Sequence, residues 1–300
     1  MRDEPQHLGA AGGQGTEVSP RCPVATSAPS PVVNTDGLPS LDATLSTAPS
    51  RWVTWWLPVP PLLNPNSVPS FLPRLSPTPW TASANGSPGP SVKLIFNAIL
   101  TVTLARPGRT VIGIDPSATM LDYARRRAGA SLVRWVHGDA RTLAGERADL
   151  VVMSGNVAQH ILGAAWPATL RGIHDALRPG GTLAFESRNP SARAWQHWTD
   201  ERTRGSRNTE YGPLTEWLHV TDIEDGIEGS EVSFSAHTVF DSTGEHLTST
   251  SRLAFRTREQ LDADLAAAGL LTHSVAGGWT GQPFGAHSPL IVVTARRPPV

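Results

Sequence analysis

From about residue 104 onward, apolar positions follow two alternating rhythms. Residues 110–114 form a short β-branched run, the mark of a strand buried on both faces. Ser117 follows as a helix N-cap, and Met120, Leu121, Ala124 and Ala128 then recur at helical spacing. Residues 132–136 and 148–153 read as two more strands. Trp166, Leu170, Ile173 and Leu177 lie on one face of a helix. That helix must stop at Arg178-Pro-Gly-Gly181, which cannot extend it, and residues 182–186 supply a fourth strand. Strands alternating with helices predict a parallel sheet covered by helices.

Residues 214–256 change the rhythm to period two. Val232, Phe234, Ala236, Thr238 and Phe240 share one face, and Leu247, Leu253 and Phe255 share one parity in the following run. Asp241-Ser-Thr-Gly244 is the turn between them. The pattern predicts an antiparallel β meander inserted into the α/β domain. Thr257 then caps a helix carrying Leu261, Leu265 and Ala268 and closed by Gly269, and residues 273–276 and 290–295 read as the last strands.

The first hundred residues have neither rhythm. They hold 17 of the 27 prolines. Proline removes a backbone donor and fixes φ, so regular ladders cannot run through such a segment. Residues 1–90 are expected to be a disordered, Pro/Ser-rich extension, and residues 91–300 the folded domain.

Charge and cysteine content narrow the function. The formal net charge is −1, with no basic footprint for nucleic acid or an anionic membrane. The longest apolar run, residues 94–105, is interrupted by Asn97 and falls short of the roughly 20 residues of a bilayer span. The N-terminus lacks the apolar stretch of a signal peptide. The single cysteine, Cys22, rules out an intramolecular disulfide and a cysteine-ligated zinc site. A cytoplasmic protein is expected, with no nucleic-acid, membrane or metal partner; the ten histidines are scattered.

Candidate chemistry sits where strands end. Asp115 closes the run 110–114, at the carboxyl edge where open α/β sheets bind ligands. A carboxylate there can accept both hydroxyls of a ribose, although Asp equally suits a strand-to-helix turn. Val136-His-Gly-Asp139-Ala places a second acid after the next strand, able to accept from the amine of adenine while Ala140 N–H faces a ring nitrogen. Ser154, Gly155 and Asn156 follow the third strand, small and polar as close backbone approach to a ligand requires.

Taken in this order and spacing, "VIGIDPSATMLDYARRR", "VRWVHGDARTL", "ADLVVMSGNVAQHI" and "LRGIHDALRPGGTLAFE" resemble the class I S-adenosylmethionine (SAM)-dependent methyltransferases. The resemblance covers residues 104–300. It implies a Rossmann-like, doubly wound, mostly parallel α/β sheet of seven strands with the last one antiparallel. It also implies SAM as cofactor and a small-molecule methyl acceptor. By the same resemblance Asp115 holds the ribose, Pro116 and Met120 line the adenosine, and Gly138, Asp139 and Ala140 read the adenine. Ser154, Gly155 and Asn156 flank the methionine moiety, and His160 stands on the substrate side as the candidate catalytic base, with Glu186 as an alternative. Trp217 and Trp279 either face the substrate or pack in the core.

One part of that pattern is absent. The family opens on a strand and a GxGxG turn about 20 residues before the ribose acid, whose glycines bring backbone N–H groups to the cofactor. Here residues 92–105 contain no glycine. Residues 92–96 can serve as a substitute strand and 97–105 as a shortened helix; an unfilled gap at this central position would expose apolar surface. Motif and composition change together, which raises the hypothesis that residues 1 to about 100 are unrelated sequence joined to the domain by a shifted reading frame. The alternatives are a non-catalytic methyltransferase-like remnant and an NAD-binding α/β oxidoreductase. The short-chain form of the latter needs Tyr-x-x-x-Lys, and the only lysine, Lys93, follows neither tyrosine at that spacing. Asp139 and Leu-Arg-Pro-Gly-Gly favour SAM over NAD. A cytosine C5 enzyme would need a nucleophilic cysteine in the domain, and the Pro-Pro-aromatic motif of DNA amino-methyltransferases is replaced by Ser154-Gly-Asn-Val.

Overall fold

A computed structural model describes residues 91–95, 98–143, 145, 147–209, 212–226 and 229–299. The expected extension, residues 1–90, lies outside the described residues, as do Cys22, Phe96 and Asn97. The chain runs β1 (Ser91–Ile95), α1 (Ala98–Leu104), β2 (Thr110–Asp115), α2 (Ala118–Arg125), β3 (Val133–His137), β4 (Ala148–Met153), α3 (Val157–His160), α4 (Ala165–Ala176) and β5 (Leu177–Arg188). It continues through α5 (Asp200–Thr203), β6 (Gly205–Thr209), β7 (Gly212–Gly226), β8 (Gly229–Phe240), β9 (Glu245–Phe255), α6 (Arg258–Ala267), β10 (Leu271–Ala276) and β11 (Leu290–Arg296).

Seven strands form one sheet in the order β10-β11-β5-β4-β1-β2-β3. Strands β5, β4, β1, β2 and β3 pair in parallel, and β11 runs antiparallel to both neighbours. The mostly parallel, doubly wound sheet expected from the sequence is therefore present. Its strands read as continuous apolar runs because both faces are covered. On one face Ile112, Ile114, Val151, Met153, Leu183 and Phe185 meet Trp166, Leu170 and Ile173 of α4 and Leu261 and Leu265 of α6. On the other, Val111, Leu150, Val152, Ala184 and Val292 cluster with Leu104, Ala105 and Trp279. Each fully buried Leu or Ile contributes about 1.5–3 kcal/mol to this core.

The central position is filled. Ser91 through Ile95 stand in parallel register with residues 110–114, and Val92 through Ile95 with residues 150–153. The expected substitute strand and shortened helix thus occupy this central position, joined by two residues without glycine. Strand β5 begins at Leu177, five residues before the expected start, although α4 does end ahead of the Pro-Gly-Gly segment. Gly180 N–H donates to Arg297 O at 2.9 Å and Arg297 N–H to Gly181 O at 3.0 Å, so the segment joins the sheet instead of looping away.

A second sheet, in the order β6-β7-β8-β9, is an antiparallel meander. It starts at Gly205, nine residues before the expected boundary at 214, because β6 is wholly polar and carries no period-two signal. One of its faces buries Leu218, Val232, Phe234, Ala236, Leu253 and Phe255 against Trp195 and Trp198. Among the described residues, no helix is long and apolar enough to cross a membrane.

Candidate active site

Parallel strands end on one edge, and the candidate residues collect there. Asp115 closes β2. Its Oδ1 accepts Ser117 N–H at 2.8 Å, and Ser117 Oγ in turn accepts Met120 N–H at 3.3 Å, which caps α2. Burial pushes the Asp115 carboxyl up to about 6, against the opposing pull of the Ser117 N–H and the nearby His137. Pro116 and Met120 are exposed beside it, and His137 Nε2 donates to Pro116 O at 2.7 Å. Asp115 pairs in register with His137, and Gly138 N–H donates to Asp115 O at 3.0 Å. Asp139 therefore follows directly at the neighbouring strand end. Gly138 takes φ 153°, and a Cβ there would run into Thr142, so glycine is required at this turn. Ala140 is buried at the start of a short 3-10 turn.

Asp139 is more engaged than the sequence suggests. Its carboxylate accepts Arg141 N–H at 2.8 Å and the Arg141 guanidinium at 2.7–3.1 Å. Burial opposes ionisation, but the hydrogen bonds and charge of Arg141 outweigh it and hold the carboxyl below its ordinary value. Arg141 is largely exposed, so the ion pair is readily exchanged for another partner.

After β4 comes the turn Ser154–Gly155–Asn156. Asn156 adopts a left-handed conformation, φ 61° and ψ 27°, unusual for a residue with a side chain. Its N–H donates to Glu186 Oε1 at 2.6 Å, and Trp279 Nε1 donates to Glu186 Oε2 at 2.9 Å. The carboxylate of β5 thereby clamps the turn. Glu186 is buried, and desolvation pushes it up to about 7, offset in part by the Asn156 and Gly155 N–H groups, Trp279 and Arg188. Ser154 Oγ and Asn156 Oδ1 are buried and have no hydrogen-bond partner among the described residues. Buried polar atoms are nearly always satisfied, so two unpartnered ones at the carboxyl edge of the sheet leave hydrogen-bonding capacity for a polar ligand.

His160 ends α3. Its ring retains solvent access yet is surrounded by protein, as on the wall of a cleft. Desolvation, with the Arg188 charge adding to it, holds it down at about 4, so the imidazole is neutral at pH 7. Gln159 precedes it and the Arg188 charge acts on it, neither of which the sequence pointed to: Arg188 Nη1 donates to Gln159 Oε1 at 3.0 Å, and the guanidinium carbon lies 5.4 Å from the Trp198 ring centroid. Trp279 sits on Glu186, whereas Trp217 stacks on His237 at 4.9 Å, away from the apolar face of the meander.

Known proteins share the fold. Residues 97–181 match the family described as a methyltransferase domain. The CcbJ methyltransferase from Streptomyces caelestis superposes with a TM-score of 0.53 at 22% identity, over 71% of this chain and 84% of that one. An S-adenosylmethionine-dependent methyltransferase from Clostridium acetobutylicum gives 0.56 at 14% identity, over 69% and 83%. The sugar N-methyltransferase KedS8 from a Streptoalloteichus species gives 0.53 at 20% identity, over 69% and 80%. No curated protein sequence matches the chain. Residues 97–181 thus match a methyltransferase domain, and the described residues share their fold with solved methyltransferases.

Proposed function

We propose that the chain binds SAM across the carboxyl ends of β2, β3 and β4 and directs methyl transfer to a small-molecule acceptor. The observation that carries this reading is the convergence on one sheet edge of Asp115, the Gly138–Asp139 turn, and the orphaned Ser154 Oγ and Asn156 Oδ1. Asp115 accepts the ribose hydroxyls, with Pro116 and Met120 beside the nucleoside. Asp139 accepts from the adenine amine once Arg141 swings aside, and Ala140 N–H faces the ring. Ser154, Gly155 and Asn156 hold the methionine moiety, with Glu186 fixing their backbone.

A sulfonium is already an activated methyl donor, so the protein's task is to align the acceptor. His160, neutral and reachable, is the candidate base that would take up a proton released by a hydroxyl or amine acceptor. The sugar N-methyltransferase among the structural relatives supports a small, polar acceptor. The second sheet rises from the acceptor side and sets which molecules enter.

A second reading, a non-catalytic remnant, draws on the glycine-free β1–α1 connection and on the Arg141–Asp139 pair. The two separate in one calorimetric titration with S-adenosylhomocysteine. The chain is compared with a version in which residues 92–105 are replaced by a strand, a GxGxG turn and a full-length helix. Micromolar binding by the chain itself supports the enzyme. Absence of binding, regained at least tenfold in the replaced version, supports the remnant and, with it, the junction of unrelated sequence near residue 100. Sequencing the coding region upstream tests that junction directly.

A further inference from the structure

Arg188 ends β5 two residues beyond Glu186, and therefore on the same face of the strand. It is half-buried. Its guanidinium carbon lies 5.4 Å from the Trp198 ring centroid, and one nitrogen donates to Gln159 Oε1 at 3.0 Å. Gln159 is fully buried and held in turn by Nε2–H to Ala254 O at 3.3 Å, so its position is fixed from both sheets. The other arginines near carboxylates pair with them: Arg178 with Asp149, Arg207 with Glu216, Arg258 with Asp262. Arg188 has no such partner among the described residues. The nearest acid, Glu186, spends its two oxygens on Asn156 N–H and Trp279 Nε1.

A guanidinium offers five donors in a planar fork, and here the protein uses one. Charges taken out of water are ordinarily paired, because desolvation without a counter-charge is costly. Burial already pulls this group down to about 10, with Glu186 only partly offsetting it. The Arg188 charge acts on the ring of His160, which has no hydrogen-bond partner among the described residues, and the orphaned Asn156 Oδ1 lies in the turn that Glu186 holds. The remaining donors of Arg188 are thus left for a ligand beside the edge where Glu186 holds the Asn156 turn, and their fork matches a carboxylate or a phosphate.

We infer that Arg188 is the residue that selects the acceptor, by binding an anionic group, carboxylate or phosphate, on the molecule to be methylated. This rests on the methyltransferase reading of the same sheet edge. Gln159 and Trp198 are positioning residues that hold the fork open toward His160.

The test is calorimetry on the full chain with benzoate, phenyl phosphate and the neutral benzamide, each saturated with or free of S-adenosylhomocysteine. At least one anion is expected to bind tenfold or more tightly than benzamide, to weaken with added salt, and to shift the His160 ring resonance. Whichever anion wins identifies the group. Arg188→Gln is expected to erase the preference and Arg188→Lys to keep part of it. Equal affinity for charged and neutral probes, failure of both anions to bind, or a preference that survives Arg188→Gln overturns the inference. If Arg188→Gln does not fold, the comparison of probes on the unaltered chain together with Arg188→Lys still decides. Anion preference without S-adenosylhomocysteine binding sinks the methyltransferase reading alone; the reverse sinks the anion site alone.

Discussion

Asp115 carries opposite demands. Its carboxyl is raised to about 6 by burial, so between the unfolded value of 3.8 and about 6 the folded chain holds the proton more tightly than the unfolded chain does. Ionising Asp115 therefore lowers stability as pH rises through that window. A ribose diol donates to the carboxylate and favours its ionised form, so ligand binding and protonation compete. Affinity for S-adenosylhomocysteine is expected to be flat above about pH 6 and to fall by up to about tenfold per unit below it. Calorimetry between pH 4.5 and 8 checks this; a flat profile, or one unchanged in Asp115→Asn, removes Asp115 from the ligand site. The acid was readable in the sequence because it ends a buried strand. The engagement of Asp139 by Arg141 was not, because a carboxylate's partner depends on which rotamers the local turn brings together.

At the scale of elements, most strands and helices that bury apolar side chains were readable, with ends off by up to five residues, although the short α3 was not. Residues 148–153 form β4 as expected, and Thr257 caps α6 through a capping box with Gln260. Elements with no apolar signature escaped: β6 is polar throughout and exists only because β7 offers it a ladder. Gly113 illustrates a constraint imposed by a neighbouring strand. It stands opposite Trp135 in β3, whose indole is pinned by Nε1–H to Ala130 O at 3.1 Å. A Cβ at 113 would overlap that ring and press on Thr101 Cγ2 at 3.2 Å. Gly113→Ala is expected to destabilise by about 1–3 kcal/mol in chemical denaturation, because a buried β2 cannot move aside. An unchanged midpoint would mean that Trp135 repacks freely.

Across the whole molecule, the two sheets are joined by few but specific bonds. Arg256, at the end of β9, is buried over Trp166 and donates to Ala158 O at 2.9 Å and Ile161 O at 2.6 Å, satisfying carbonyls at and just beyond α3. Arg256→Met keeps the length and apolar contact but orphans those carbonyls. It is expected to cost about 2–4 kcal/mol and to loosen the segment that carries His160. Hydrogen exchange would reveal this as lost protection at residues 157–162, with the seven-stranded sheet unaffected; uniform loss throughout would instead make Arg256 a general stability residue.

The sequence by itself determined the order of elements, the faces they bury and the acids at the strand ends, since burial period and strand-end chemistry are local properties of the chain. The sequence offered residues 92–96 as a substitute strand, but only pairing with residues 110–114 and 150–153 set residues 91–95 at the centre of the sheet. Tertiary structure alone brought Glu186 to Asn156, 30 residues away, and Trp279 to Glu186, 93 residues away. Hydrogen bonds and uncompensated charges are set by which distant groups share a low-dielectric space, and no periodicity along the chain encodes that.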